Sequence, residues 1–133
     1  MRENLAQSLT EITAFTNEHR IDAEFHLHRV NELRDGSETQ NLCWARFEKR
    51  SGVYCILSAD GSKTKYVGMS KVDTGSRVFP WVFPKPAPDG ATNSKTDDDD
   101  VVLSVVLEKQ SYMAPALESY LITRLKPEFN KKR

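Results

Sequence analysis

Gly52-Val53-Tyr54-Cys55-Ile56-Leu57 and Lys63-Thr64-Lys65-Tyr66-Val67-Gly68 are two runs rich in β-branched and aromatic residues, with Ala59-Asp60-Gly61 between them. Strand-forming runs around an Asp-Gly turn read as a β-hairpin. A three-residue loop with Gly61 in the left-handed conformation sets Ser58 against Ser62 and Tyr54 opposite Tyr66, so both rings share one face. A two-residue turn shifts the pairing by one and sends them to opposite faces. The loop therefore decides whether the two tyrosines can build one site.

Outward from the hairpin, Val101-Val102-Leu103-Ser104-Val105-Val106-Leu107 is nearly continuous in branched apolar residues, the pattern of a central strand covered on both faces. Leu5, Leu9, Ile12 and Phe15 recur at helical spacing, predicting an N-terminal amphipathic helix that ends around Asn17 to His19. Ile21 to Leu33 is ambiguous: Phe25 and Leu27 alternate with His26 and His28 like a strand, while Val30 and Leu33 keep a helical step. Asp73 or Thr74 can cap a helix that Gly75 and Pro80 keep short or kinked. A last helix starts near Ser111, takes Pro115 into its first turn and stops by Lys126, ahead of Pro127. Its stripe is Ala114, Leu117, Leu121, Ile122 and Leu125, and Glu118 projects beside that stripe, where a carboxylate needs a partner or a cation.

These elements predict an α+β domain: a small three-stranded antiparallel sheet flanked by helices, with an N-terminal helical extension. Residues 1–50 are expected to pack on a core formed by 51–133, with an acidic, Pro-rich insert at 84–100. The 133-residue length suffices for one hydrophobic core without staples. No apolar run is long enough to cross a bilayer and the start lacks a signal-peptide pattern, so a soluble cytoplasmic protein without a membrane partner is expected. Cys43 and Cys55 have no zinc-ligand or disulfide-framework spacing and read as small buried residues. His26 and His28 could ligate a metal from one strand face, but the sequence offers no third ligand within reach.

The 19 basic and 19 acidic side chains cancel, which argues against a whole-surface nucleic-acid binder. They are unevenly placed: residues 51–85 and 101–133 each carry an excess of three basic groups, whereas 86–100 carry an excess of four acidic ones. If the basic stretches fold together and the acidic insert points away, a cationic face survives on a neutral chain.

The motif Gly52-Val53-Tyr54, eleven residues, then Tyr66-Val67-Gly68 resembles the paired signature of the GIY-YIG endonucleases. Arg77, Glu118 and Asn130 follow in the order in which that family places its arginine, metal-binding glutamate and asparagine. Leu117-Glu118-Ser119-Tyr120-Leu121-Ile122 with Lys126-Pro127-Glu128-Phe129-Asn130 is similar to the end of the nuclease domain in bacterial excision-repair UvrC proteins. The resemblance covers about residues 51–131. It departs where Met69 stands in place of the lysine that often follows the second motif, with Lys71 two positions later, and where Trp81 stands in place of a histidine.

The resemblance implies a Mg²⁺- or Mn²⁺-dependent endonuclease that cuts one strand of DNA per active site. Glu118 would hold the metal, Arg77 would clamp the scissile phosphate, and Tyr54 would act as base with Tyr66 as its hydrogen-bonded companion. Asn130 would orient a tyrosine or the backbone around the metal carboxylate, with Lys65, Gly68 and Lys71 as substrate-binding positions. The alternative is a binding module for nucleic acid or protein on a nuclease fold, with cleavage lost or gated by a partner that docks through residues 1–50. A further option places Asp97 to Asp100 in the cationic groove as a phosphate mimic. Monomer and dimer are both open, since one centre cuts one strand.

Overall fold

A computed structural model describes residues 3–34, 36, 38–84 and 95–130. In chain order these form α1 (Glu3–Glu18), β1 (Glu24–Arg29), a 3-10 turn (Val30–Leu33), α2 (Glu38–Trp44), β2 (Gly52–Leu57) and β3 (Thr64–Ser70). Then come α3 (Thr74–Val82), β4 (Val101–Val106), a second 3-10 turn (Ser111–Met113) and α4 (Ala114–Leu125). No described helix is long and apolar enough to cross a membrane.

The fold is α+β, but its sheet has four antiparallel strands in the order β1-β4-β2-β3, not three. The added strand is β1, which pairs along β4 from Glu24 opposite Val106 to Arg29 opposite Val101. Ile21 to Leu33 thus resolves into a strand followed by a helical turn, and both halves of its mixed periodicity were real. The valine-rich β4 lies inside the sheet, as its branched composition predicts, and all six residues of β2 are buried.

Two cores cover the sheet. On one face α1 and α4 pack Ile12, Phe15, Leu117 and Leu121 against Val53, Cys55, Val67, Leu103 and Val105. On the other face Leu33, Trp44, Phe47, Val78 and Val82 meet Tyr54, Ile56 and Val102. The first fifty residues therefore supply a strand of the sheet and parts of both cores, so the division at residue 50 separates segments that fold as one unit. Cys43 and Cys55 are buried and form no disulfide.

Gly61 takes φ 71°, the left-handed state that the hairpin needs. The ladder differs from the simple three-residue loop. Ser58 donates its N–H to the Lys63 carbonyl at 2.9 Å, and the register shifts once more between Ile56 and Leu57. Tyr54 consequently lies opposite Gly68 and Tyr66 opposite Ile56. A slip of two positions preserves the face, so the two tyrosines still share one.

α3 is short, as expected, capped by Asp73, whose carboxylate accepts the Ser76 N–H at 3.3 Å, and it carries Pro80 within it. α4 ends at Lys126, which adopts the left-handed conformation before Pro127. Of the 84–100 insert, residues 85–94 lie outside the described residues. Residues 95–100 do not point away from the basic segments. Asp98 pairs with Arg34 at 2.7 Å, and Asp100 is buried against Lys65, its carbonyl accepting the Val30 N–H at 2.7 Å.

Candidate active site

The tyrosines come from neighbouring strands on the face that α3 covers. Tyr54 is only 2% exposed, and its hydroxyl donates to the backbone carbonyl of Arg77 at 3.4 Å. Its ring lies over β3 at Gly68, where an added Cβ would stand 2.4 Å from both Cζ and the hydroxyl oxygen. Gly68 therefore serves by lacking a side chain. It gives the phenol passage across the strand, which is a physical reason for a glycine after the second tyrosine.

Tyr66 is half-buried within an aromatic row: its ring centroid is 6.0 Å from that of Tyr54 and 4.4 Å from that of Trp81, which in turn is 6.2 Å from Phe129. Trp81 thus anchors the second tyrosine, the structural reading among those its sequence position allows. Phe79 is exposed and stacks with Trp44 and Phe83 beside a groove of about 580 Å³ lined in part by Lys49 and Ser76.

Burial pushes the Tyr54 phenol well above its ordinary range; the neighbouring Tyr66 and the Glu118 charge add to the rise, and the Arg77 guanidinium opposes it. The Arg77 charge on α3 and the Glu118 charge on α4 thus act on the Tyr54 hydroxyl in opposite directions. Arg77 itself is exposed and Glu118 half-buried, with α4 packed along β3.

Asn130 clamps the outer edge of β3. Its side-chain carbonyl accepts the Val67 N–H at 2.9 Å, and its amide donates to the Val67 carbonyl at 2.8 Å. Glu128 and Phe129 extend this pairing, donating their N–H groups to the Thr64 and Lys65 carbonyls. The asparagine thus orients the backbone of the second motif.

The structure thus brings Tyr54, Tyr66, Arg77 and Glu118 into one electrostatic neighbourhood, next to the strand that Asn130 holds. Lys71 is exposed just past β3. Lys65 is committed elsewhere: its ammonium bonds Asp100 at 2.6 Å and the Lys95 carbonyl at 3.2 Å, with Asp97 at 3.7 Å. Sequence reasoning missed Asp100 and Thr96, whose hydroxyl bonds the Trp81 carbonyl at 2.6 Å. A four-aspartate run gives no sign of which member turns inward; the only signal was that the last one abuts an apolar strand.

Glu118 offers a carboxylate, a hard oxygen donor of the kind that Mg²⁺ and Mn²⁺ take while keeping most of their shell as water and phosphate. No family model, curated protein or solved structure matches the chain.

Proposed function

We propose that this protein is a metal-dependent endonuclease that hydrolyses phosphodiester bonds in DNA, one strand per active site. The observation that carries the reading is the buried Tyr54 phenol, bonded to the Arg77 carbonyl and packed beside Tyr66, next to a strand edge locked by Asn130, with the Arg77 and Glu118 charges acting on it in opposite directions.

Arg77 presents an exposed fork of donors that can engage two oxygens of a phosphate. A Mg²⁺ ion held by Glu118 would supply charge neutralisation at the phosphate. The environment favours a different division of labour between the tyrosines from the expected one. Tyr54 keeps its proton because burial disfavours the phenolate, and its hydroxyl donates to the Arg77 carbonyl, so its part is to hold α3 against β2 beside Tyr66. Tyr66, half-buried and held between Tyr54 and Trp81, is the better-placed acceptor for the proton of an attacking water. Asn130 keeps β3, and with it Tyr66, in register.

The test is incubation of supercoiled plasmid with the full chain and Mg²⁺ or Mn²⁺, alongside Glu118→Ala, Arg77→Ala and an EDTA control. Nicked circles are expected to precede linear product, with each variant slower by about a hundredfold or more. Undiminished nicking by a folded Glu118→Ala protein would remove the basis for the proposal.

A second reading draws on Lys65. With that lysine occupied by Asp97 and Asp100, one cation beside the site is neutralised by the chain itself, as a module whose cleavage is gated by a partner would require. Salt-dependent DNA binding without turnover by the wild-type chain would favour it.

A further inference from the structure

We propose that His28, Glu32 and Cys43 form a zinc site, separate from the Glu118 centre. The three residues come from β1, the 3-10 turn after it, and α2, and one donor atom from each lies within 4.8 Å of the others. The third ligand that the His26/His28 pair lacked in the sequence is supplied by the fold, and His28 is the histidine that uses it.

The imidazole provides an independent observation. His28 is only 6% exposed, and its Nε2 is fully buried without a hydrogen-bond partner among the described residues. A buried nitrogen left unpaired costs stability, and native interiors rarely tolerate one without an ion or water. Burial, with the nearby Arg46 charge, holds His28 below the ordinary histidine range although Glu32 opposes the shift.

The other donors complete a consistent set. Cys43 is buried beside the imidazole, and Glu32 accepts the Arg29 N–H at 2.9 Å through Oε1, a bond that fixes its carboxylate and leaves Oε2 for a cation. Thiolate, imidazole and carboxylate together suit Zn²⁺ and its spectroscopic substitute Co²⁺, and suit Mg²⁺ poorly. Donors around tetrahedral zinc stand about 3.6 Å apart, so the side chains need close by only roughly 1 Å. The bound metal would tie β1 to α2, a helix of seven residues, too short to hold its shape without tertiary support.

The experiment is titration of the full reduced chain with Co²⁺ and then Zn²⁺. A thiolate-to-cobalt band in the near ultraviolet is expected to saturate at one equivalent and to be displaced by Zn²⁺, and Zn²⁺ is expected to raise Tm. Cys43→Ser should abolish the band, and His28→Gln should weaken binding tenfold or more. Cys55→Ala should leave the band intact, because Cys55 lies in the opposite core with its thiol pushed up to about 12 by burial. Since the band is read on the wild-type chain, a variant that fails to fold does not spoil the test. Absence of the band together with an unchanged Tm under excess Zn²⁺ would overturn the proposal. A band that survives in Cys43→Ser would overturn it as well.

Discussion

Gly68→Ala tests the central geometric argument, because the same methyl group should have opposite effects in two backgrounds. The backbone at Gly68 is not in the left-handed region, so alanine alone would stabilise the strand by about 0.5–1 kcal/mol through a less flexible unfolded chain. In the native protein, however, the new Cβ would stand 2.4 Å from Cζ and the hydroxyl oxygen of Tyr54. Tyr54 is 2% exposed and flanked by Tyr66, so its ring cannot swing aside without opening the packing. Overpacking of this kind costs about 1–3 kcal/mol. A leucine side chain lacks both colliding atoms, so in a Tyr54→Leu background the methyl should be neutral or stabilising by about 0.5 kcal/mol. The coupling between the two changes is then about 2 kcal/mol, well above the scatter of independent sites. Urea unfolding of the four proteins measures it: Gly68→Ala should lower the midpoint by about 1 M in the wild-type background and leave it unchanged or raised in the Tyr54→Leu background. Equal losses in both backgrounds, within about 0.5 kcal/mol, would refute the claim that Gly68 exists to admit the phenol. On the proposed function, plasmid nicking should fall in Gly68→Ala too, because the displaced ring packs beside Tyr66 and carries the hydroxyl bonded to the Arg77 carbonyl.

Asn130→Ala removes two hydrogen bonds to Val67 and should destabilise the protein by about 1–3 kcal/mol, with faster hydrogen exchange at the Val67 amide as the local signature. Asp100→Asn replaces the buried partner of Lys65 and should cost about 2 kcal/mol in thermal or urea unfolding. In the acid range, Glu24 is held at about 2 by Arg50 and then His26, and Asp60 at about 2 chiefly by the Ser62 hydroxyl. Both folded values lie below the ordinary carboxylate values, so the stabilisation is present above about pH 4.5 and is lost as pH falls towards 2. Tm against pH should decline across that window, and Glu24→Gln should flatten the decline, with an effect that shrinks in high salt because the carboxylate is exposed.

What the sequence made legible was local. The hairpin, the central valine-rich strand and the C-terminal helix each carry their signal within a dozen residues, and Gly61 and Lys126 end them where their backbone angles require. β1 was obscure for a physical reason. Its Phe25 and Leu27 face outward at 41% and 49% exposure, while the side chain buried beneath the second core is His28, so hydropathy and burial run in opposite directions along the strand. The pairing of Asp100 with Lys65 was equally hidden, because the two residues meet only after β3 and the start of β4 come together. Asn130 shows why site and scaffold cannot be separated here. An edge strand exposes unpaired backbone groups, and β3 is such an edge; Glu128, Phe129 and Asn130 close it from Thr64 to Val67. The next residue is Gly68, over which the Tyr54 ring passes, so the closure that protects the sheet ends where the proposed chemistry begins. Through its two bonds to Val67, Asn130 fixes the strand edge one residue before the position where the tyrosine pair meets β3.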